Sequence, residues 1–155
     1  MKKSRKLNKK FNTAIADMGH GDILIVGDAG FPIDSEEKRV DLAIEQDVPG
    51  VSQILELIMS DFIYEKVIVA EEQRLYNPVH FENVCRLSDR CPVETVTHEE
   101  IIHRYAKEAK YIVRTGAFEP WGNIVLVSGI DAAEYFKKEG CIVPDYYTQR
   151  VSYKK

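Results

Sequence analysis

Met18 to Pro32 reads MGHGDILIVGDAGFP. At its centre, Ile23 to Val26 is an uninterrupted apolar run, with Gly21 before it and Gly27 after it. Apolar residues without polar alternation are the pattern of a strand covered on both faces, as in parallel sheets. His20 stands just before the run and Asp28 just after it. Both side chains can exchange protons or grip hydroxyls, and glycine beside each allows close approach of a ligand or a second backbone. The stretch therefore predicts a buried strand with a polar group at each end.

The flanking sequence repeats this theme. Phe11, Ile15 and Met18 fall at helical spacing before Gly19, which predicts an N-terminal helix closed by glycine. RVDLAI (Arg39 to Ile44) is a second, shorter strand. After Pro49-Gly50, Ser52 is placed to cap a helix reaching about Asp61, with Ile54, Leu55 and Ile58 inward. KVIVA (Lys66 to Ala70) is the next buried strand, and Asn77-Pro78 reads as a cap followed by proline in a first helical turn. Val93 to Val96 is strand-like, and THEE (Thr97 to Glu100) matches a capping box opening a helix with Ile101, Ile102, Tyr105 and Ala109. Tyr111 to Arg114 and Ile124 to Val127 complete the strands. Apolar strands alternating with helices predict an α/β fold: a three-layer sandwich with a mainly parallel central sheet flanked by helices.

Composition bounds the partners. The 155 residues suit one domain, and the 45% hydrophobic and 30% charged content is that of a globular chain. A formal net charge of −4 offers no general attraction for nucleic acid or an anionic membrane. The basic block of Lys2, Lys3, Arg5, Lys6, Lys9 and Lys10 precedes no long apolar run, so it does not read as a signal peptide, and a cytoplasmic location is expected. No segment approaches the length that spans a bilayer. Cys85, Cys91 and Cys141 are odd in number and contain no CxxC pair, which argues against disulfides or structural zinc; the apolar spacing around Cys85 places it in the core.

Open parallel sheets bind ligands beyond the carboxyl ends of their strands. Asp28, Glu71 and Glu72, His98, and Arg114 with Thr115 all follow predicted strands, which gathers polar groups along one edge. His98 is the best placed, because a helix N-terminus disfavours imidazolium and a neutral ring suits proton transfer near pH 7. His98 and His103 are five apart, about 140° around an α-helix, so they form no metal pair. His80 is expected on the surface near a helix start. HExxH, GxSxG, a P-loop and GxGxxG are all absent from the sequence. Trp121, the only tryptophan, precedes Gly122 and Asn123; an indole can stack on a sugar face while asparagine pairs with hydroxyls.

Together these pieces resemble the D-ribose pyranase and L-fucose mutarotase family. The matching segments are GHGD (Gly19 to Asp22), DAGFP (Asp28 to Pro32), KRVDLAI (Lys38 to Ile44), AEE (Ala70 to Glu72), HEE (His98 to Glu100), RTG (Arg114 to Gly116) and GNIVLVSG (Gly122 to Gly129), in family order. The resemblance implies a small α/β subunit in a ring-like homo-oligomer, with a monosaccharide bound between subunits. It implies cofactor-free, metal-free interconversion of sugar ring forms. By resemblance His20 is the catalytic acid, and Asp28, His98 and the Trp121-Gly122-Asn123 segment bind the sugar. Trp121 departs from the tyrosine usual in the family, and the extension from about residue 131 is longer than the resemblance predicts. KRVDLAI and AEE look like the ribose branch, whereas Gly122-Asn123 resembles the fucose branch. The alternatives are thus a fucose-type mutarotase and a non-catalytic sugar-binding protein linked to transport.

One geometric condition follows. A strand rises about 3.3 Å per residue, so His20 and Asp28 should lie about 20 Å apart within one chain. Unless Gly19-His20-Gly21 folds back along the strand, both can touch one sugar only if two subunits share the site.

Overall fold

The computed structural model describes residues 3–153. Its six strands are β1 (Ile23–Gly27), β2 (Arg39–Asp41), β3 (Tyr64–Ala70), β4 (Val93–Val96), β5 (Tyr111–Arg114) and β6 (Ile124–Ser128). They form one sheet in the order β2-β5-β1-β6-β3-β4. All neighbours pair in parallel except β6, which runs antiparallel to both β1 and β3. The reason lies in chain length: a parallel crossover takes a dozen or more residues, and residues 115–123 are too few. The reversal matters, because it brings the amino end of β6 to the edge where the other five strands end.

Alternation within the strands divides the core into two layers. Leu24, Val26, Val67, Val69, Val113, Ile124 and Leu126 point to one side. There they meet Phe11 and Ala14 of α1 (Lys9–Ala16), Ile54, Leu55 and Ile58 of α2 (Val51–Met59), and Val84 of α4 (Pro78–Leu87). Ile25, Ile68, Ala70, Ile112 and Val125 point to the other, against Phe31, Ile101, Tyr105 and Ala106. The sheet is therefore the middle layer of a helix–sheet–helix sandwich, and the uninterrupted apolar run of β1 is explained by cover on both faces.

Several local expectations need correction. The first helix ends at Ala16, and Gly19 instead gives its N–H to Asp22 Oδ2 at 2.7 Å. Asn8 caps that helix through the Phe11 N–H. Gly50, not Ser52, stands at the cap of α2; the Ser52 hydroxyl accepts from Asn83 Nδ2 at 2.6 Å. Strand β2 stops at Asp41, because the following residues turn through the Glu45–Val48 bridge. Asn77 precedes Pro78 without capping by its side chain. Cys85 is half-buried, while Cys91 is the core cysteine. His80 is not on the surface: it is 6% exposed beneath the loop before β6. Of the basic block, Lys2 lies outside the described residues, and Lys6 is buried, its ammonium bonded to the Leu57 carbonyl, Ser60 Oγ and Asp61.

Thr97 does cap the next helix, accepting from the Glu100 N–H at 3.2 Å. That helix runs through a short α5 (His98–Glu100), a π-helical turn over Ile101–Tyr105 and α6 (Ala106–Glu108). Apolar periodicity gave no sign of the π turn, a feature that often accompanies functional sites. Beyond β6 the chain forms α7 (Ala132–Tyr135), a 3₁₀ turn at Asp145–Tyr147 and α8 (Thr148–Val151). Among the described residues no helix is long and apolar enough to cross a membrane.

Candidate functional site

Asn123 sits at the start of β6 and is 2% exposed. Its Oδ1 accepts from the Asp28 N–H at 2.9 Å, which sets the orientation of the amide. Its Nδ2 then donates to Asp28 Oδ2 at 3.0 Å and lies 3.5 Å from His98 Nε2. Since Nδ2 is a donor only, a hydrogen bond between them requires His98 Nε2 to accept, which is the tautomer with its hydrogen on Nδ1. One buried amide thus joins the group after β1 to the group after β4.

Each partner is held in turn. Asp28 Oδ1 accepts from the Gly30 N–H at 2.8 Å, a local turn that aims the carboxylate along the sheet edge. Arg114 fixes the same loop, giving Nε to the Ala29 carbonyl at 3.0 Å and Nη1 to Asp41 at 3.1 Å. The His98 N–H, an unpaired donor at a helix start, gives its hydrogen to Glu72 Oε2 at 2.9 Å. The neighbouring Glu71 forms a close pair with Arg74, which with Thr95 holds its carboxyl down at about 2.

The Trp121-Gly122 segment is tightly constrained. Trp121 has φ 51°, a left-handed conformation that costs a non-glycine residue energy and persists only where the surroundings enforce it. Gln73, fully buried at the start of α3 (Glu71–Tyr76), supplies part of that constraint by donating Nε2 to the Trp121 carbonyl at 2.8 Å. Asn77 Nδ2 donates to Glu119 Oε1 at 2.7 Å and to the Pro120 carbonyl at 3.1 Å. Gly122 leaves no room for a side chain, since a Cβ there would stand 2.6 Å from that of Glu119. His80 lies behind this loop with Nδ1 3.9 Å from Glu119 Oε2, and burial pushes its imidazole below the ordinary 6.5. The Trp121 indole is half-buried, packed on the second core layer and tilted 41° against the Tyr76 ring at 5.4 Å.

Asp28, His98, Trp121, Gly122 and Asn123 are therefore brought to one edge of the sheet. His20 is not among them. The Gly21 N–H donates to the Ser128 carbonyl and the Ser128 N–H to the Asp22 carbonyl, both at 2.8 Å, which pins the segment beside the carboxyl end of β6. Gly21 takes φ +86° to make that turn. His20 Nε2 lies 3.1 Å from Oε2 of Glu65, near the start of β3. The Gly19-His20-Gly21 segment does not fold back, so His20 and Asp28 stand at opposite edges. Asp22 is a brace, bonded to Lys110 Nζ at 2.8 Å, and that ammonium first, then the Gly19 N–H, lowers its pKa. Sequence reasoning missed Gln73, Tyr76 and Glu65. The first two lie close after the AEE segment, whereas nothing near Glu65 in sequence marks it.

The chain matches the model of the RbsD / FucU transport protein family over residues 1–131. It is 47% identical to D-ribose pyranase 2 of Rubrobacter xylanophilus, over 97% of both chains. The solved structure of Bacillus subtilis RbsD complexed with D-ribose superposes with a TM-score of 0.78 at 31% identity, covering 84% of this chain and 98% of that one. The fucose mutarotase from Streptococcus pneumoniae in complex with L-fucose shares the fold, with a TM-score of 0.61 at 18% identity over 84% of this chain and 99% of that one. With most of its length matched both by the family model and by a relative of this identity, the chain belongs to the RbsD / FucU transport protein family.

Proposed function

We propose that this protein is an isomerase that interconverts the ring forms of a monosaccharide, β-pyranose and β-furanose D-ribose first among them, without a cofactor. The observation that carries this reading is the Asn123 clasp, which presents the Asp28 carboxylate and the His98 ring side by side at the sheet edge. Carboxylate oxygens with lone pairs to spare and a neutral imidazole are the groups that hold vicinal hydroxyls. The half-buried Trp121 ring beside them offers an apolar face to the sugar.

The chemistry asks little more. The anomeric hydroxyl loses its proton, the bond from C1 to the ring oxygen breaks, and that oxygen takes up a proton, giving the open-chain aldehyde. A different hydroxyl then adds to C1 and the proton transfers reverse. No electrons are gained or lost overall. His20 serves as the acid at the ring oxygen. With tryptophan at position 121, that residue supplies no phenol for the anomeric proton, which passes to water.

Because His20 lies at the opposite edge from Asp28, we assign the complete site to two subunits of a homo-oligomer. Exposed apolar residues support assembly. Ile44 and Phe118 flank the Asp28 loop, and Tyr76 packs against Trp121. Clusters of this kind on a soluble surface mark contact sites.

Saturation-transfer NMR on ribose tests the function. Exchange between pyranose and furanose signals faster than in the buffer blank is the expected result. Binding without added exchange would make the protein a sugar-binding module, and faster exchange on L-fucose than on ribose would move it to the mutarotase branch.

A further inference from the structure

Glu65 carries two partners on one carboxylate. Its Oε2 lies 3.1 Å from His20 Nε2 and 3.2 Å from Arg150 Nε, while Arg150 Nη2 is 3.4 Å from Oε1. The Glu65 side chain is only 12% exposed, so a two-toothed cation on it strongly restricts its orientation. Arg150 belongs to α8, beyond the residues matched by the family model. The Rubrobacter xylanophilus match covers too much of this chain to leave that extension out.

The extension is a packed segment. The Tyr147 ring lies 5.0 Å beneath the Arg150 guanidinium and contacts Phe136 and Tyr146 edge-on. Tyr153 packs on the first core layer. These contacts place Arg150 at the mouth of the His20 turn.

We propose that Arg150 is a positioning residue for His20 and acts on it through Glu65. The inference rests on the reading of His20 as the acid. Arg150 fixes the Glu65 rotamer and Glu65 keeps the resting proton of His20 on Nε2, so that a proton taken up from water lands on Nδ1, the nitrogen that faces the sugar of the adjoining site, and is given from there to the ring oxygen. A group that acts only through another should show no effect once its intermediary is removed.

The test uses the full chain as wild type, Arg150→Gln, Glu65→Gln and the double variant, with kcat and KM for ribose exchange measured by NMR. Arg150→Gln is expected to lower kcat about tenfold, or about 1.4 kcal/mol of barrier, with KM changed by less than about twofold. The double variant should be no slower than Glu65→Gln alone, and Arg150→Lys should recover part of the rate. Ring ¹⁵N shifts should place the neutral His20 proton on Nε2 in wild type and show mixed tautomers in Arg150→Gln. Multiplying rate losses in the double variant, or wild-type kcat with an unchanged tautomer in Arg150→Gln, would overturn the proposal. Should Arg150→Gln not fold, an Arg150→Met variant with unchanged kcat and tautomer overturns it equally. If the wild type catalyses no ribose exchange, the functional reading has failed, and the tautomer comparison alone decides whether Arg150 orients His20.

Discussion

Asn123 and Asp28 grip each other at two points: the Asp28 N–H gives its hydrogen to Asn123 Oδ1 at 2.9 Å, and Asn123 Nδ2 gives one back to Asp28 Oδ2 at 3.0 Å. The pair joins the end of β1 to the start of its antiparallel neighbour β6, so a buried amide sets both the loop conformation and the aim of the carboxylate. Truncating Asn123→Ala leaves the Asp28 N–H without its partner, at a cost of about 1–3 kcal/mol. Urea unfolding should register that loss, and ribose affinity should fall with it. Unchanged affinity in a destabilised Asn123→Ala protein would show that the clasp serves the fold alone.

His20→Ala should abolish catalysed exchange with little effect on stability, because the side chain is 38% exposed and its one named partner is Glu65. Surface substitutions of this kind shift stability by about 0.5 kcal/mol or less. Mixing His20→Ala with Asp28→Ala subunits after dissociation and reassociation should restore part of the activity. No recovery, with mixed oligomers confirmed by mass spectrometry, would argue that a site does not draw on two chains.

Trp121 should report on the sugar. Its intrinsic fluorescence is expected to change saturably with ribose, excited at the red edge to exclude tyrosine transfer. Trp121→Tyr should keep binding and raise the exchange rate if a phenol at this place relays the anomeric proton. Since the indole is half-buried, Trp121→Ala should cost about 2 kcal/mol, roughly half the loss for a fully buried tryptophan. A larger drop in unfolding midpoint with ribose affinity intact would assign the ring to the core.

His80 makes stability depend on pH. Burial lowers its folded-state pKa beneath the unfolded 6.5, so below that value the unfolded chain takes up a proton that the folded chain resists. Stability attributable to His80 is thus fully present above 6.5 and is lost as the pH falls through it. Urea midpoints should decline between about pH 7.5 and about pH 5.5, and His80→Phe should flatten that slope. Asp22 and Glu71, whose carboxyls are held low by Lys110 and Arg74, titrate from ordinary values of 3.8 and 4.5 and add their losses at more acid pH. An identical slope in His80→Phe would assign the decline elsewhere.

The strands could be read from the chain because burial on two faces demands apolar residues at every position, and Ile23 to Val26 and Val67 to Ala70 meet that demand visibly. Strand direction then gathered Asp28 and His98 at one edge before any coordinates, since parallel strands end together. Caps were less legible: asparagine and serine suit a helix start by type, yet Asn77 spends its amide on Glu119 and Ser52 its hydroxyl on Asn83. His80 was misplaced because histidine suits surface and core alike, and only the packing of the loop before β6 buries it. Likewise nothing in the order of residues joins His20, Glu65 and Arg150. Local pattern reports which face a residue prefers. Which distant residue waits on that face depends on strand order and on where the extension packs, and those follow from contacts among segments far apart in the chain.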